Sequence, residues 1–139
     1  MTAGVKFCII HPHCIEEEQC DPTLSPYKQA IAKRAWQVIQ ELRQSSHDVF
    51  VLECGEPQTV AHHYKKGDLV ILCGAFRLGC LLLAEQALKR KGCHVLYHRY
   101  ATISLFLGTE DADWERLGSA GMYDPTSINR ALQWLGEAI

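Results

Sequence analysis

The chain of 139 residues carries 14 Lys and Arg against 16 Asp and Glu, which gives a formal net charge of −2 at pH 7. Its length suits one domain, and 47% apolar and 22% charged residues are ordinary proportions for a soluble globular protein. The charge balance excludes the basic surface of a nucleic-acid-binding domain. No apolar run approaches the ~20 residues that a membrane-spanning helix requires.

The cysteine content indicates a reducing compartment. The chain has seven cysteines, an odd number, and no Cys-x-x-Cys pair. Cys8, Cys73 and Cys93 fall within strand-like runs, and the apolar run near the amino terminus is too short for a secretory signal. We therefore expect a cytoplasmic protein with reduced thiols and no disulfide framework.

In the first half of the chain, the apolar spacing predicts two strands and one long helix. Val5 to Ile10 indicates a strand, and His11 to Leu24, with two prolines and three consecutive glutamates, indicates a loop. Ser25-Pro26 is typical of a helix start, with Ser as the N-cap and Pro at the first helical position. Asp48 to Glu53 follows as a second strand, and Pro57 to Tyr64 forms either a short helix or an irregular loop.

The second half begins with a strand, a glycine turn and a helix. Leu69 to Cys73 is a continuous apolar run, which suits a parallel strand covered on both faces, and Gly74 would allow a turn. A helix is predicted from about Leu78 to Lys91, with basic residues in its last turn and Gly92 as its stop. Cys93 to His98 is then a fourth strand.

Beyond the fourth strand, the pattern is weaker. Thr102 to Leu107 is β-prone, but the link from the preceding strand is too short for a parallel crossover. Asp111 to Leu117 indicates a short helix carrying Trp114, and Asp124-Pro125 starts a last helix. The alternation of strands and helices predicts a single α/β domain over residues 1–139, with a mostly parallel sheet and right-handed crossovers.

Cys80 stands near the amino end of the helix predicted from Leu78. The helix dipole favours a thiolate at such a position, which is the setting of a nucleophilic cysteine. The alternative is a small buried hydrophobic residue, because unpaired cysteines are among the most buried residue types.

The apolar strand, Cys73-Gly74, Arg77, Cys80 and the Ala- and Leu-rich helix form a pattern that resembles the nucleophile motif of the isochorismatase-like cysteine hydrolases. Arg77 stands where that motif usually has Thr. The resemblance is good from Asp68 to Ala101, weak from Val5 to Cys54 and absent after Thr102. It implies an isochorismatase-like three-layer sandwich with a mostly parallel, doubly wound sheet, and a catalytic set of Asp, Lys and Cys.

Two members of that catalytic set differ in this chain. His11 occupies the position of the Asp at the end of the first strand, where it is either a proton acceptor for Cys80 or a polar loop residue beside a proline. The Lys has no clear counterpart, because Lys65 and Lys66 precede the third strand and suit a solvated turn. The leading hypothesis therefore has Cys80 as the nucleophile and His11 as its base.

The substrate is expected at the carboxyl ends of the strands, where open α/β sheets bind their ligands. The expected substrate-binding residues are His13, Phe76, Arg77 and Gly79. Backbone N–H groups around Phe76, Gly79 and Cys80 would stabilise the oxyanion. Arg77 would hold a carboxylate or phosphate, or else be a solvated side chain in the first helical turn.

No cofactor and no metal is expected. The histidines and cysteines between His11 and Cys20, and the pair His62-His63, lack a recognised zinc spacing, and no phosphate-loop or dinucleotide-binding pattern is present. The leading hypothesis is thus a divergent hydrolase acting on an amide or similar bond of a small-molecule substrate, without nucleic acid or membrane partners. The sequence leaves the oligomeric state open, with a homo-oligomer as one alternative. The alternative is a non-catalytic binding or assembly module on the same fold.

Overall fold

The computed structural model describes residues 5–104 and 122–123 of the chain. Its strands form one sheet and are β1 (Val5–Ile10), β2 (Asp48–Leu52), β3 (Leu69–Arg77), β4 (His94–Ser104) and β5 (Met122–Tyr123). The strand order is β2-β1-β3-β4-β5, and every neighbouring pair is parallel. The prediction of four adjacent parallel strands in an α/β fold is confirmed.

Helices cover both faces of this sheet. They are α1 (Pro12–Gln19), α2 (Pro26–Arg43), a 3-10 helix (Pro57–His63) and α3 (Cys80–Lys91). Side chains of β1 alternate between two cores, with Phe7 and Ile9 packed beneath α2, and Cys8 and Ile10 beneath α3. Of the two alternatives for residues 57–64, the structure has the short helix. Within the described residues, no helix is both long and apolar enough to cross a membrane.

The start of α2 agrees with its sequence signals. Ser25 caps the helix, and its side chain accepts a hydrogen bond from the Lys28 N–H at 3.3 Å. Pro26 is the first helical residue, where its missing N–H costs nothing because that group would have no helical partner.

The prediction of a loop from His11 to Leu24 is wrong in its first part, because α1 begins directly after β1. Pro12 starts this helix, and its glutamates are good helix formers. Only Pro12 and Ile15 are buried, so the apolar periodicity that identifies most amphipathic helices is missing.

The predicted turn at Gly74 is also wrong, because β3 continues through Gly74 to Arg77. Gly74 pairs with Ile10 of β1 and with Thr102 of β4, next to an irregularity in the β3–β4 register. Its φ of +105° is a conformation that favours glycine, and a Cβ at this position would overlap the Ile10 carbonyl oxygen. The glycine therefore permits a bulge inside a strand, and α3 begins at Cys80 instead of Leu78.

Strand β4 joins the predicted fourth strand to the β-prone segment that follows it. Its register passes from Tyr97 opposite Leu72 to Thr102 opposite Gly74, so that several residues bulge outward. The backbone N–H groups of Tyr100 and Ala101 both donate to His98 Nδ1 at 3.1 Å, which satisfies them within the bulge. Because the two segments form one continuous strand, no crossover connection is needed between them.

Strand β5 was not predicted from the sequence. The remaining predictions for the carboxyl-terminal part lie outside the described residues. These are the continuation of the β-prone segment to Leu107, the helix over Asp111 to Leu117 with Trp114, and the last helix from Asp124.

Candidate functional site

Cys80 is the first residue of α3, so the prediction that it lies in the first helical turn is confirmed. The loop before it turns sharply, with Leu78 in the left-handed region at φ 63° and the Gly79 N–H donating to the Phe76 carbonyl at 3.0 Å. Cys80 is half-buried and packs against the core beneath α3. Its thiol therefore lies between the packed interior and solvent.

His11 follows the last residue of β1 and is the N-cap residue of α1, with its backbone in the left-handed region at φ 51°. Its Nε2 lies 2.9 Å from the Gly55 carbonyl oxygen, and because a carbonyl only accepts, this nitrogen carries the proton. The other ring nitrogen, Nδ1, is then the basic one. No hydrogen bond joins His11 to Cys80 among the described residues, so the direct contact of a catalytic dyad is not present.

His13 and Cys14 lie in the first turn of α1, beside His11. The His13 Nε2 is 3.6 Å from the Cys14 sulfur, and the rings of His11 and His13 are 5.8 Å apart. Burial raises the pKa of Cys14, and the negative charges of Glu17 and of a Cys80 thiolate raise it further. The first turns of α1 and α3 are therefore close enough for their thiols to interact electrostatically.

Arg77 is the last residue of β3 and is only 1% exposed, which rules out the solvated side chain. Its Nη1 donates to the carbonyl oxygen of Thr102 at 2.9 Å and to the Thr102 hydroxyl at 2.8 Å. Thr102 on β4 had no role in the sequence prediction. The guanidinium thus joins β3 to β4 from inside the protein.

A buried polar network next to Arg77 was also missed. The Tyr97 hydroxyl donates to Glu85 Oε1 at 3.0 Å, and Lys89 pairs with Glu85 Oε2 at 2.7 Å. Burial raises the pKa of Tyr97, the charge of Glu85 raises it further, and the charge of Arg77 opposes both. Glu85 resembles any solvated helix residue in sequence, so no local signal indicates that it is buried.

The other expected substrate-binding residues, Phe76 and Gly79, lie just before the start of α3. Phe76 is half-buried and packs against the core beneath α2. The Gly79 N–H is already bonded to Phe76, so the first-turn N–H groups of α3, which have no helical acceptor, are better placed to receive an oxyanion. The expected hydrogen-bond donors to an oxyanion are therefore the first-turn N–H groups of α3 and not the Gly79 N–H.

Lys65 and Lys66 are exposed in the turn before β3, as predicted. The Lys65 N–H donates to Asp68 Oδ2 at 3.0 Å, which closes this turn at the amino end of β3, opposite the edge that carries Cys80. All seven cysteines are free thiols. In the described part of the chain, no group of three or more His, Cys, Asp or Glu side chains is placed to hold a metal ion.

A separate cavity of about 320 Å³ lies between the carboxyl-terminal half of α2 and the sheet. None of the predicted site residues lines it. Its described lining is mostly apolar and aromatic, and consists of Phe7, Val38, Glu41, Leu42, Ser45, His47, His98 and Tyr123.

No protein-family model matches the chain, and neither a curated protein nor a solved structure matches it. The parallel α/β sheet and the arrangement of residues at its edges are therefore the basis for a functional conclusion.

Proposed function

We propose that this protein is a divergent isochorismatase-like cysteine hydrolase that cleaves an amide or similar bond of a small molecule through Cys80. The position of Cys80 carries the proposal, because it starts α3 and is half-buried beyond the carboxyl end of β3. A thiolate at a helix N-terminus is stabilised by the helix dipole. Cys8 and Cys73, in contrast, lie in the core, where burial raises the pKa of each thiol and disfavours the nucleophilic form.

In the proposed reaction, the Cys80 sulfur attacks the carbonyl carbon of the substrate. The C–N bond breaks as the amine takes a proton and leaves, and water then hydrolyses the thioester to release the acid and restore the thiol. His11 is the proposed base because its bond to Gly55 leaves Nδ1 as the proton acceptor. The thiol proton would pass to Nδ1 and from there to the amine. The contact between His11 and Cys80 would form only when substrate binds.

The remaining residues have supporting roles in this proposal. The oxyanion would be stabilised by first-turn N–H groups of α3, since such groups have no helical acceptor. His13 and Phe76, both accessible at this edge, are the proposed substrate contacts. Gly79 lets the chain turn into α3, and Arg77, bonded to Thr102, would hold the end of β3 beneath the substrate.

Site-resolved thiol labelling tests the proposal. The full chain is treated at pH 7 with limiting iodoacetamide, and each cysteine-containing peptide is quantified by mass spectrometry. We expect Cys80 to react at least ~10-fold faster than Cys54, although Cys54 is the more exposed residue. Slower labelling of Cys80 than of Cys54 would contradict the proposal.

Two variants separate the base from the nucleophile. His11→Asn can still donate a hydrogen bond to Gly55 but cannot accept the thiol proton, so Cys80 labelling should slow by at least ~3-fold. The control His62→Asn, on the exposed end of the 3-10 helix, should leave the rate unchanged. In a panel of small primary amides, any turnover should disappear in Cys80→Ser and persist in Cys54→Ser.

A non-catalytic binding or assembly module, with or without homo-oligomerisation, remains the second candidate. The observation that favours it is the His11 imidazole, which is bonded to Gly55 and not to Cys80. Rapid labelling of Cys80 that His11→Asn does not change, together with no turnover in the amide panel, would decide for this candidate.

A further inference from the structure

The cavity beneath α2 has walls of aromatic rings that touch one another. The Phe7 ring centroid is 5.1 Å from that of His47 and 5.9 Å from that of Tyr123. The His98 ring lies 5.2 Å from Tyr123 and extends the wall along β4. Of these rings, those of Phe7 and Tyr123 present electron-rich faces that attract cations.

The charges around this cavity favour a positive ligand. Glu41 is the only carboxylate among the described lining residues, which include no Lys and no Arg. His98 Nδ1 accepts two backbone N–H bonds and so cannot carry a proton, which keeps this buried ring neutral. Burial raises the pKa of Tyr123 to about 12, so its phenol is neutral as well.

The size of the cavity suits a small molecule. Its volume of about 320 Å³ lies at the lower end of the range of ligand pockets, roughly 300–1,000 Å³. Ser45 and His47 are exposed in the turn after α2, so the lining includes residues that face solvent.

We propose that this cavity binds a small organic cation, an ammonium group with apolar substituents, with the aromatic rings around the substituents and Glu41 near the charge. A methylated ammonium spreads its charge over its methyl groups, so it loses little hydration when it enters an aromatic site, and the rings then attract it through cation–π interactions. This site is independent of the hydrolase proposal, because it shares no residue with the surroundings of Cys80.

Choline and its uncharged isostere 3,3-dimethylbutan-1-ol test the proposal, because they differ in charge but hardly in shape. Binding to the full chain is measured at pH 8 by isothermal titration calorimetry. We expect choline to bind at least ~5-fold more tightly than the alcohol. Equal binding of the two probes, or no binding of either, would overturn the proposal.

Variants at the surface locate the binding. Glu41→Gln should weaken choline binding by at least ~3-fold, and His47→Ala, which removes an exposed wall of the cavity, should also weaken it. The matched control Glu16→Gln removes an exposed carboxylate from α1 and should leave the affinity unchanged. Equal losses in both carboxylate variants would indicate a general charge effect and overturn the assigned site. Cys80→Ser should bind choline as the native chain does.

Discussion

Arg77 and Thr102 lie on neighbouring strands and are joined by two hydrogen bonds from one guanidinium nitrogen, at 2.9 and 2.8 Å. The Thr102 hydroxyl also donates to the His98 carbonyl at 2.7 Å. The threonine is therefore both an acceptor for a buried cation and a donor that closes the bulge of β4. This pairing lies at the buried end of β3, from which the chain turns towards Cys80.

Thr102→Val keeps the shape of the side chain but removes its hydroxyl. We expect the free energy of unfolding to fall by about 2–3 kcal/mol, because a buried guanidinium loses an acceptor and a buried carbonyl loses a donor. Urea denaturation measures the change. Thr59→Val is the control, since its exposed hydroxyl also donates to a carbonyl, that of Glu56. Equal losses of unfolding free energy in the two variants would show that burial does not strengthen the hydrogen bonds of the Thr102 hydroxyl.

Gly74 and Gly67 provide a matched pair for the bulge in β3. Both have positive φ, +105° and +94°, but a Cβ on Gly74 would overlap Ile10 whereas one on Gly67 would meet nothing within 4 Å. Gly67→Ala should cost about 1–2 kcal/mol from backbone strain alone. Gly74→Ala should cost at least ~2 kcal/mol more because the adjacent strands must separate. Thermal and urea unfolding measure the loss of stability in both variants. Similar losses would contradict the close approach of the Ile10 carbonyl to Gly74.

Cys80 and Cys73 should respond differently to the same substitution. Cys73 on β3 is fully buried in the core beneath α2, so Cys73→Ser places a hydroxyl among apolar groups and should cost about 2–3 kcal/mol. Cys80 is half-buried, and Cys80→Ser should cost less than ~1 kcal/mol. A loss above ~2 kcal/mol for Cys80→Ser, measured by urea denaturation, would mean that its thiol is a packing group and would favour the binding module.

Stability should fall steeply at alkaline pH. Burial raises the pKa of Cys8 to about 12, and burial also raises the pKa of Cys73 and Tyr64. The folded state therefore holds these protons after the unfolded chain has released them. The resulting stabilisation is fully present below about pH 8.5, the ordinary thiol pKa, and is lost as the pH rises towards the folded value.

Each such group contributes a slope of about 1.4 kcal/mol per pH unit within its window. Urea denaturation at pH 9, 10 and 11 should show this decline in the free energy of unfolding. In Cys8→Ala the decline should be less steep by up to about 1.4 kcal/mol per pH unit, which is the contribution of one group. Val51→Ala on β2 serves as the control for destabilisation without a titrating group. If the pH dependence of the free energy of unfolding is unchanged in Cys8→Ala, the Cys8 thiol does not cause the loss of stability at alkaline pH.

The candidate site could be predicted only in part. The position of Cys80 at the start of a helix followed from local signals: an apolar strand before it, and a helix that ends with basic residues and Gly92. The partner of His11 could not be predicted, because the imidazole bonds to a carbonyl 44 residues away in a loop after another strand. Its contact with Cys80 remains a prediction for the substrate complex.

The sequence by itself determined the order of β1, α2, β2, β3, α3 and β4 along the chain, the cap of α2 and the parallel α/β class, because apolar periodicity and capping act over a few neighbouring residues. Only the tertiary structure decided that Gly74 lies inside a strand, that Arg77 is buried against Thr102, and that four aromatic rings surround a cavity beneath α2. These features depend on which strands pair and in which register. That pairing joins residues far apart in the chain, and no local pattern encodes it.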